Sequence, residues 1–108
     1  MKKLFILIFL TSFSAYAQDN TKNEFLIQIK DHKFIPDKIA VKENQEFKLV
    51  IENLDKTIEE FESDDLKREK LIGAGKKITI NIQGLKAGEY KFYGDFHQKT
   101  AQGKIIVK

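Results

Sequence analysis

The groups in this chain that can do chemistry are two histidines and a run of acids. Glu59, Glu60, Glu62, Asp64 and Asp65 place five carboxylates within seven positions, and Glu69 follows. His97 closes the stretch Asp95-Phe96-His97, and His32 sits in Asp31-His32-Lys33. Hard carboxylate oxygens beside an imidazole suit Cu(II), Fe(II), Fe(III) or Mn(II) rather than Cu(I). In an extended strand Glu60 and Glu62 share one face, and Glu59 joins Phe61 on the other. A charge run followed by Lys67, Arg68 and Lys70 also reads as a solvated surface. Arg68 and Glu69 suit an ion pair that would hold the carboxylate ionised. His32, in a turn-like context, is expected to be a surface or structural residue.

Several chemistries are excluded. The chain has no cysteine, which removes thiol redox chemistry, thiolate-ligated zinc and iron–sulfur clusters. Ser63 has no flanking elbow glycines and no histidine at a diagnostic spacing. No glycine-rich phosphate loop follows a strand and opens a helix.

The elements that must position these groups follow from the pattern along the chain. Met1-Lys2-Lys3, the apolar run Leu4 to Leu10 and the small-x-small site Ala15-Tyr16-Ala17 predict a secretory signal peptide over 1–17, cleaved before Gln18. Its loss removes Lys2 and Lys3 and leaves 17 basic against 16 acidic residues, no footprint for nucleic acid. Residues 18–23 are polar and expected to be a disordered lead-in, with one domain over 24–108.

Within that domain apolar residues alternate. Phe25, Ile27 and Ile29 share one face, as do Phe47, Leu49 and Ile51, then Ile78, Ile80 and Ile82, then Tyr90 and Phe92, and last Ile105 and Val107. Period-2 alternation gives strands with one face inward. Turn signals at Asp31-His32, Ile35-Pro36-Asp37, Glu43-Asn44, Gly73-Ala74-Gly75 and Ala87-Gly88 separate them. About seven or eight strands spaced this way predict an all-β sandwich or barrel. The only helix-compatible stretch is Ser63 to Leu71, short and heavily charged.

The C-terminal third resembles the last two strands of a cupredoxin, where the pattern is G-x-Y-x-F-Y-C-x-x-H, a short methionine-containing loop, a glycine and a final strand. Gly88, Tyr90, Phe92, Tyr93, His97 and Gly103 match, whereas Gly94 stands at the cysteine position and Ala101-Gln102 in the methionine region. Phe34-x-Pro36, Ile39, Val41 and Phe47-x-Leu49 to Asn53 resemble the family's N-terminal strands. The Glu59-Glu60-Phe61-Glu62-Ser63 segment, with Leu66 and Arg68-Glu69-Lys70, is similar to single-domain periplasmic cupredoxin-like proteins associated with bacterial iron and copper handling.

The resemblance implies a Greek-key β-sandwich in which His97 occupies a copper-ligand position. It also implies that the segment after Asn53 reaches the same end, offering Glu59 and Glu60 where the family has another histidine. The expected metal ligands are therefore His97 with one or more of Glu59, Glu60, Glu62 and Glu69, and the expected cofactor is a copper or iron ion. A blue-copper centre needs a thiolate, so electron transfer of that kind is not expected. The implied role is periplasmic metal uptake or homeostasis, beside an inner-membrane iron permease or another periplasmic metal-handling protein. A ferroxidase and a metal-free interaction module are the alternatives, the latter because fold alone does not fix function.

Overall fold

A computed structural model of the protein describes residues 23–108. The expected signal peptide over 1–17, and residues 18–22 of the lead-in, lie outside the described residues. The strands are β1 (Glu24–Lys30), β2 (Lys33–Ile35), β3 (Lys38–Val41), β4 (Phe47–Asn53), β5 (Glu59–Ser63), β6 (Arg68–Ile72), β7 (Lys77–Ile82), β8 (Gly88–Gly94) and β9 (Gln102–Val107). A 3-10 turn, η1 (Asp95–His97), lies between β8 and β9. The strands form two sheets, in the orders β2-β1-β4-β7 and β3-β9-β8-β5-β6. The all-β sandwich expected from the alternation is what the chain forms, with nine strands among the described residues rather than seven or eight.

The apolar faces meet between the sheets. Phe25, Ile27 and Ile29 of β1 and Phe47, Leu49 and Ile51 of β4 are buried on one side, and Ile39, Phe61, Phe92, Ile105 and Val107 on the other. β1 runs parallel to β4, with Ile27 opposite Ile51, and β3 runs parallel to β9, with Ile39 opposite Ile105. Phe61 and Phe92 lie 5.2 Å apart, and Phe34 meets Phe92 edge-on at 5.0 Å. These are the offset and edge-to-face arrangements that the ring quadrupole favours.

The stretch from Ser63 to Leu71 is not helical. It closes a hairpin in which Glu62 faces Glu69 and Ser63 faces Arg68. Ser63 holds the turn: its hydroxyl donates to the Lys91 carbonyl at 2.6 Å and accepts from the Leu66 N–H at 3.0 Å. β6 is an edge strand in which only Ile72 is buried. Charge on an edge discourages pairing with another chain, and it is also what hides the strand's alternation.

Candidate metal centre

β5 and β8 pair only at Phe61–Gly94 and Glu62–Tyr93. Beyond Gly94 the chain leaves the sheet through η1 and returns at Ala101. Gly94 N–H donates to the Ala101 carbonyl, and Ala101 N–H to the His97 carbonyl, each at 2.8 Å. The loop between the last two strands is thereby folded over the first residue of β5, which is Glu59.

Glu59 is 1% exposed. Its Oε1 accepts the N–H of Phe96 at 2.9 Å and of Glu60 at 3.0 Å, and its Oε2 lies 2.6 Å from His97 Nδ1. Strand alternation explains the placement, since Glu59, Phe61 and Ser63 point inward and Glu60 and Glu62 outward. A carboxylate oxygen only accepts, so Nδ1 carries the proton of that bond and Nε2 is the nitrogen left to bind a ligand. A carboxylate on one imidazole nitrogen is the arrangement that orients a metal-binding histidine through its other nitrogen.

A blue-copper centre does not fit these residues. Gly94 offers no side chain, and the space beside it is taken. A Cβ there would stand 2.7 Å from the Ala101 methyl and would also meet the Glu59 carboxylate. The nitrogen and oxygen donors that remain suit Cu(II) or an iron ion.

His32 stacks on His97, with ring centroids 3.5 Å apart and planes 10° from parallel. It belongs to the two-residue turn between β1 and β2, where Asp31 and His32 have φ of 54° and 59°. Positive φ at both central residues matches the twist of the flanking strands. Asp55 braces that turn, accepting the Asp31 N–H at 2.8 Å and the His32 N–H at 3.0 Å. Desolvation raises the Asp55 carboxyl, but the two N–H donors and the nearby imidazoles outweigh it and hold the group below its ordinary value. Asp55 N–H in turn donates to Asn53 Oδ1 at 3.0 Å, and buried Asn53 donates to the carbonyls of Thr57 and Ile72.

The other predicted ligands form a separate group. Glu60, Glu62 and Asp95 offer oxygens within 4.8 Å of one another on the outward face, and Glu69 lies opposite Glu62. The structure thus divides the five predicted residues into Glu59 with His97 inside, and Glu60, Glu62 and Glu69 outside. Desolvation, a hydrogen bond to Glu69 and the charges of Glu69, Glu62 and Asp95 push Glu60 up to about 7. Desolvation and the charges of Glu69, Asp95 and Asp64 raise Glu62. The expected Arg68–Glu69 ion pair does not form: they are neighbours on one strand and so point to opposite faces, and Arg68 donates to the Asn81 carbonyl instead.

Sequence reasoning took His32 as a surface or structural residue and passed over Asp55. The signal for both is long-range, because the β1–β2 turn meets the loop that follows β4 and, from the other sheet, the loop that carries His97.

The family model "Cupredoxin-like domain" matches residues 3–107. "Uncharacterized protein RP394" of Rickettsia prowazekii (strain Madrid E) is 45% identical over 107 residues, covering 96% of this chain and 86% of that protein. Among solved structures, the metal binding domain of the Streptococcus pneumoniae D39 Cu(I) exporting P-type ATPase CopA, with Cu(I), is similar at a TM-score of 0.73 and 15% identity. That match covers 86% of this chain and 92% of the domain. Auracyanin A, a "blue" copper protein from Chloroflexus aurantiacus, is similar at 0.68 and 12% identity, covering 79% and 98%. A single-residue mutant of amicyanin, Cu(I), is similar at 0.64 and 13%, covering 88% and 94%. At these identities the likeness to the solved structures is one of fold. With the match to the family model spanning nearly its whole length, the chain belongs to the cupredoxin-like domain family.

Proposed function

We propose that this protein binds a copper or iron ion through nitrogen and oxygen donors at the His97 end of the sandwich and serves metal uptake or homeostasis in the periplasm. The observation that carries the reading is the 2.6 Å bond between Glu59 Oε2 and His97 Nδ1. It fixes the ring and its tautomer so that Nε2 is presented for coordination. The fold neighbours add support, since the CopA domain and amicyanin structures are described with Cu(I) and auracyanin A as a copper protein. An inner-membrane iron permease or another periplasmic metal-handling protein is the partner that such a role calls for. The test is calorimetric titration of the full chain with Cu(II) and with Fe(II). His97→Ala should weaken binding by about tenfold or more, the scale on which even outer ligand contacts act. Equal binding by the parent and His97→Ala would remove this site assignment.

One observation favours a second reading. Glu59 and His97 satisfy each other, and Glu59 also satisfies two backbone N–H groups. The pair closes the loop onto the sheet by itself, as an interaction module without metal would require. Absence of transition-metal binding by the parent chain would select this reading.

A further inference from the structure

His32 is the chemically capable group that the reading above leaves unused. We propose that His32 supplies a second imidazole nitrogen to the ion bound at His97, so that the site closes on Cu(II) with two nitrogens from two different sheets. This rests on the reading that His97 binds metal.

Three observations place His32 for that task. Its ring already lies on the His97 ring at 3.5 Å. Its backbone is pinned, because Asp55 accepts both N–H groups of the Asp31-His32 turn and is itself tied through Asn53 to the Thr57 and Ile72 carbonyls. The loop from Asn53 leads into Glu59, and Ile72, whose carbonyl accepts from Asn53, is the partner of Glu59 across β5 and β6, so the turn that carries His32 and the acid that holds His97 are tied to the same short segment.

The ring nitrogens are also available. His97 Nδ1 is taken by Glu59, which leaves Nε2. His32 Nε2 lies 3.5 Å from Thr57 Oγ1, at the limit of hydrogen bonding. Among the described residues His32 Nδ1 makes no hydrogen bond. Metal–nitrogen bonds of about 2.0–2.1 Å put two nitrogens on one ion roughly 3 Å apart, close to the spacing of the stacked rings. Parallel rings do not aim their lone pairs at one point, so His32 must swing outward on its side-chain torsions. It is half-buried, and the weak Thr57 contact is the hydrogen bond that it gives up. Imidazole suits Cu, Zn, Fe and Ni, and Cu(II) heads the divalent order. Glu59 and Asp55 supply negative charge on either side of the pair.

The experiment is Cu(II) titration of the full chain, read by calorimetry and by the nitrogen hyperfine pattern in electron paramagnetic resonance. Two substitutions separate coordination from packing. His32→Phe keeps a ring for the stack and removes both nitrogens, while His32→Asn keeps a residue that tolerates positive φ and removes the ring. The parent should show two imidazole nitrogens, and both variants one, with affinity lower by about tenfold or more. If either variant binds Cu(II) as tightly as the parent and with the same nitrogen count, the His32 inference is overturned while His97 stands. If the parent binds no Cu(II), the site reading and the inference fall together.

Discussion

Gly94 faces Glu59 so closely that a Cβ added to the glycine would stand 2.7 Å from Glu59 Cδ and 2.8 Å from Oε2. The two positions are therefore exchanged in bulk: the strand β8 residue gives up its side chain and the β5 residue fills the space with a carboxylate. That carboxylate then finds its acceptor sites occupied by Phe96, Glu60 and His97. A buried acid with three donors is a stable arrangement, since each buried polar atom is satisfied.

Gly94→Ala should destabilise the fold by about 1–3 kcal/mol, the range for forcing extra atoms into a packed core. The glycine's backbone is extended, at φ −95° and ψ 114°, so the cost arises from packing and not from backbone strain. Urea unfolding would measure it. The cost should be smaller in a Glu59→Asp background, where the side chain is one methylene shorter. Additive costs of the two substitutions would show that they do not share this space.

Addition of Cu(II) to the purified chain should give no intense visible band of the blue-copper kind, because the thiolate that such centres require is missing. The chain holds no cysteine anywhere, so partial unfolding cannot supply one. A strong charge-transfer band from the purified monomer would rule out a donor set of nitrogen and oxygen alone.

Stability should depend on pH through Glu60. Its carboxyl is pushed up to about 7 from 4.5 by desolvation, by the Glu69 hydrogen bond and by the surrounding acids. Between those values the folded chain holds a proton that the unfolded chain releases. The contribution is fully present below pH 4.5 and is lost as pH rises through 7. Glu60→Gln keeps a donor toward Glu69 and removes the titration. It should raise the urea midpoint relative to the parent at about pH 8 and leave it nearly unchanged at about pH 4, on either side of that window. The same gain at both pH values would show that crowding with Glu69, Glu62 and Asp95 is not the cause.

The sequence made the sandwich legible because the strands with one buried face alternate. Phe47, Leu49 and Ile51 lie under one sheet, with Lys48 outside, as their spacing requires. It also separated Glu59 from Glu60 and Glu62, since period 2 alone turns them to opposite faces. Two things were hidden. β6 is an exposed edge, so burial imposes no pattern on Arg68 to Leu71, and its composition reads equally well as a charged helix. The His32–His97 stack joins residues far apart in the chain, and local spacing carries no information about such a contact.

The last prediction separates the two roles of Glu59, filling space and orienting His97. Glu59→Ala removes the acceptor for the Phe96 and Glu60 N–H groups and for His97 Nδ1, and leaves a gap beside Gly94. The cost should be about 2–4 kcal/mol, because donors are left without partners in a dry site. Glu59→Gln keeps the volume, and its carbonyl oxygen can still accept from Phe96 and Glu60. Its amide nitrogen then faces His97, and an N–H donor there requires Nδ1 to accept. The proton of neutral His97 must move to Nε2. The Gln variant should therefore unfold at a urea concentration much closer to the parent's than the Ala variant does. Nitrogen-15 shifts of the ring should show Nδ1–H in the parent and Nε2–H in the Gln variant. Since Nε2 is the nitrogen assigned to metal, Cu(II) binding should weaken in the Gln variant even though its fold is kept. An unchanged His97 tautomer in Glu59→Gln would show that the carboxylate does not orient the ring.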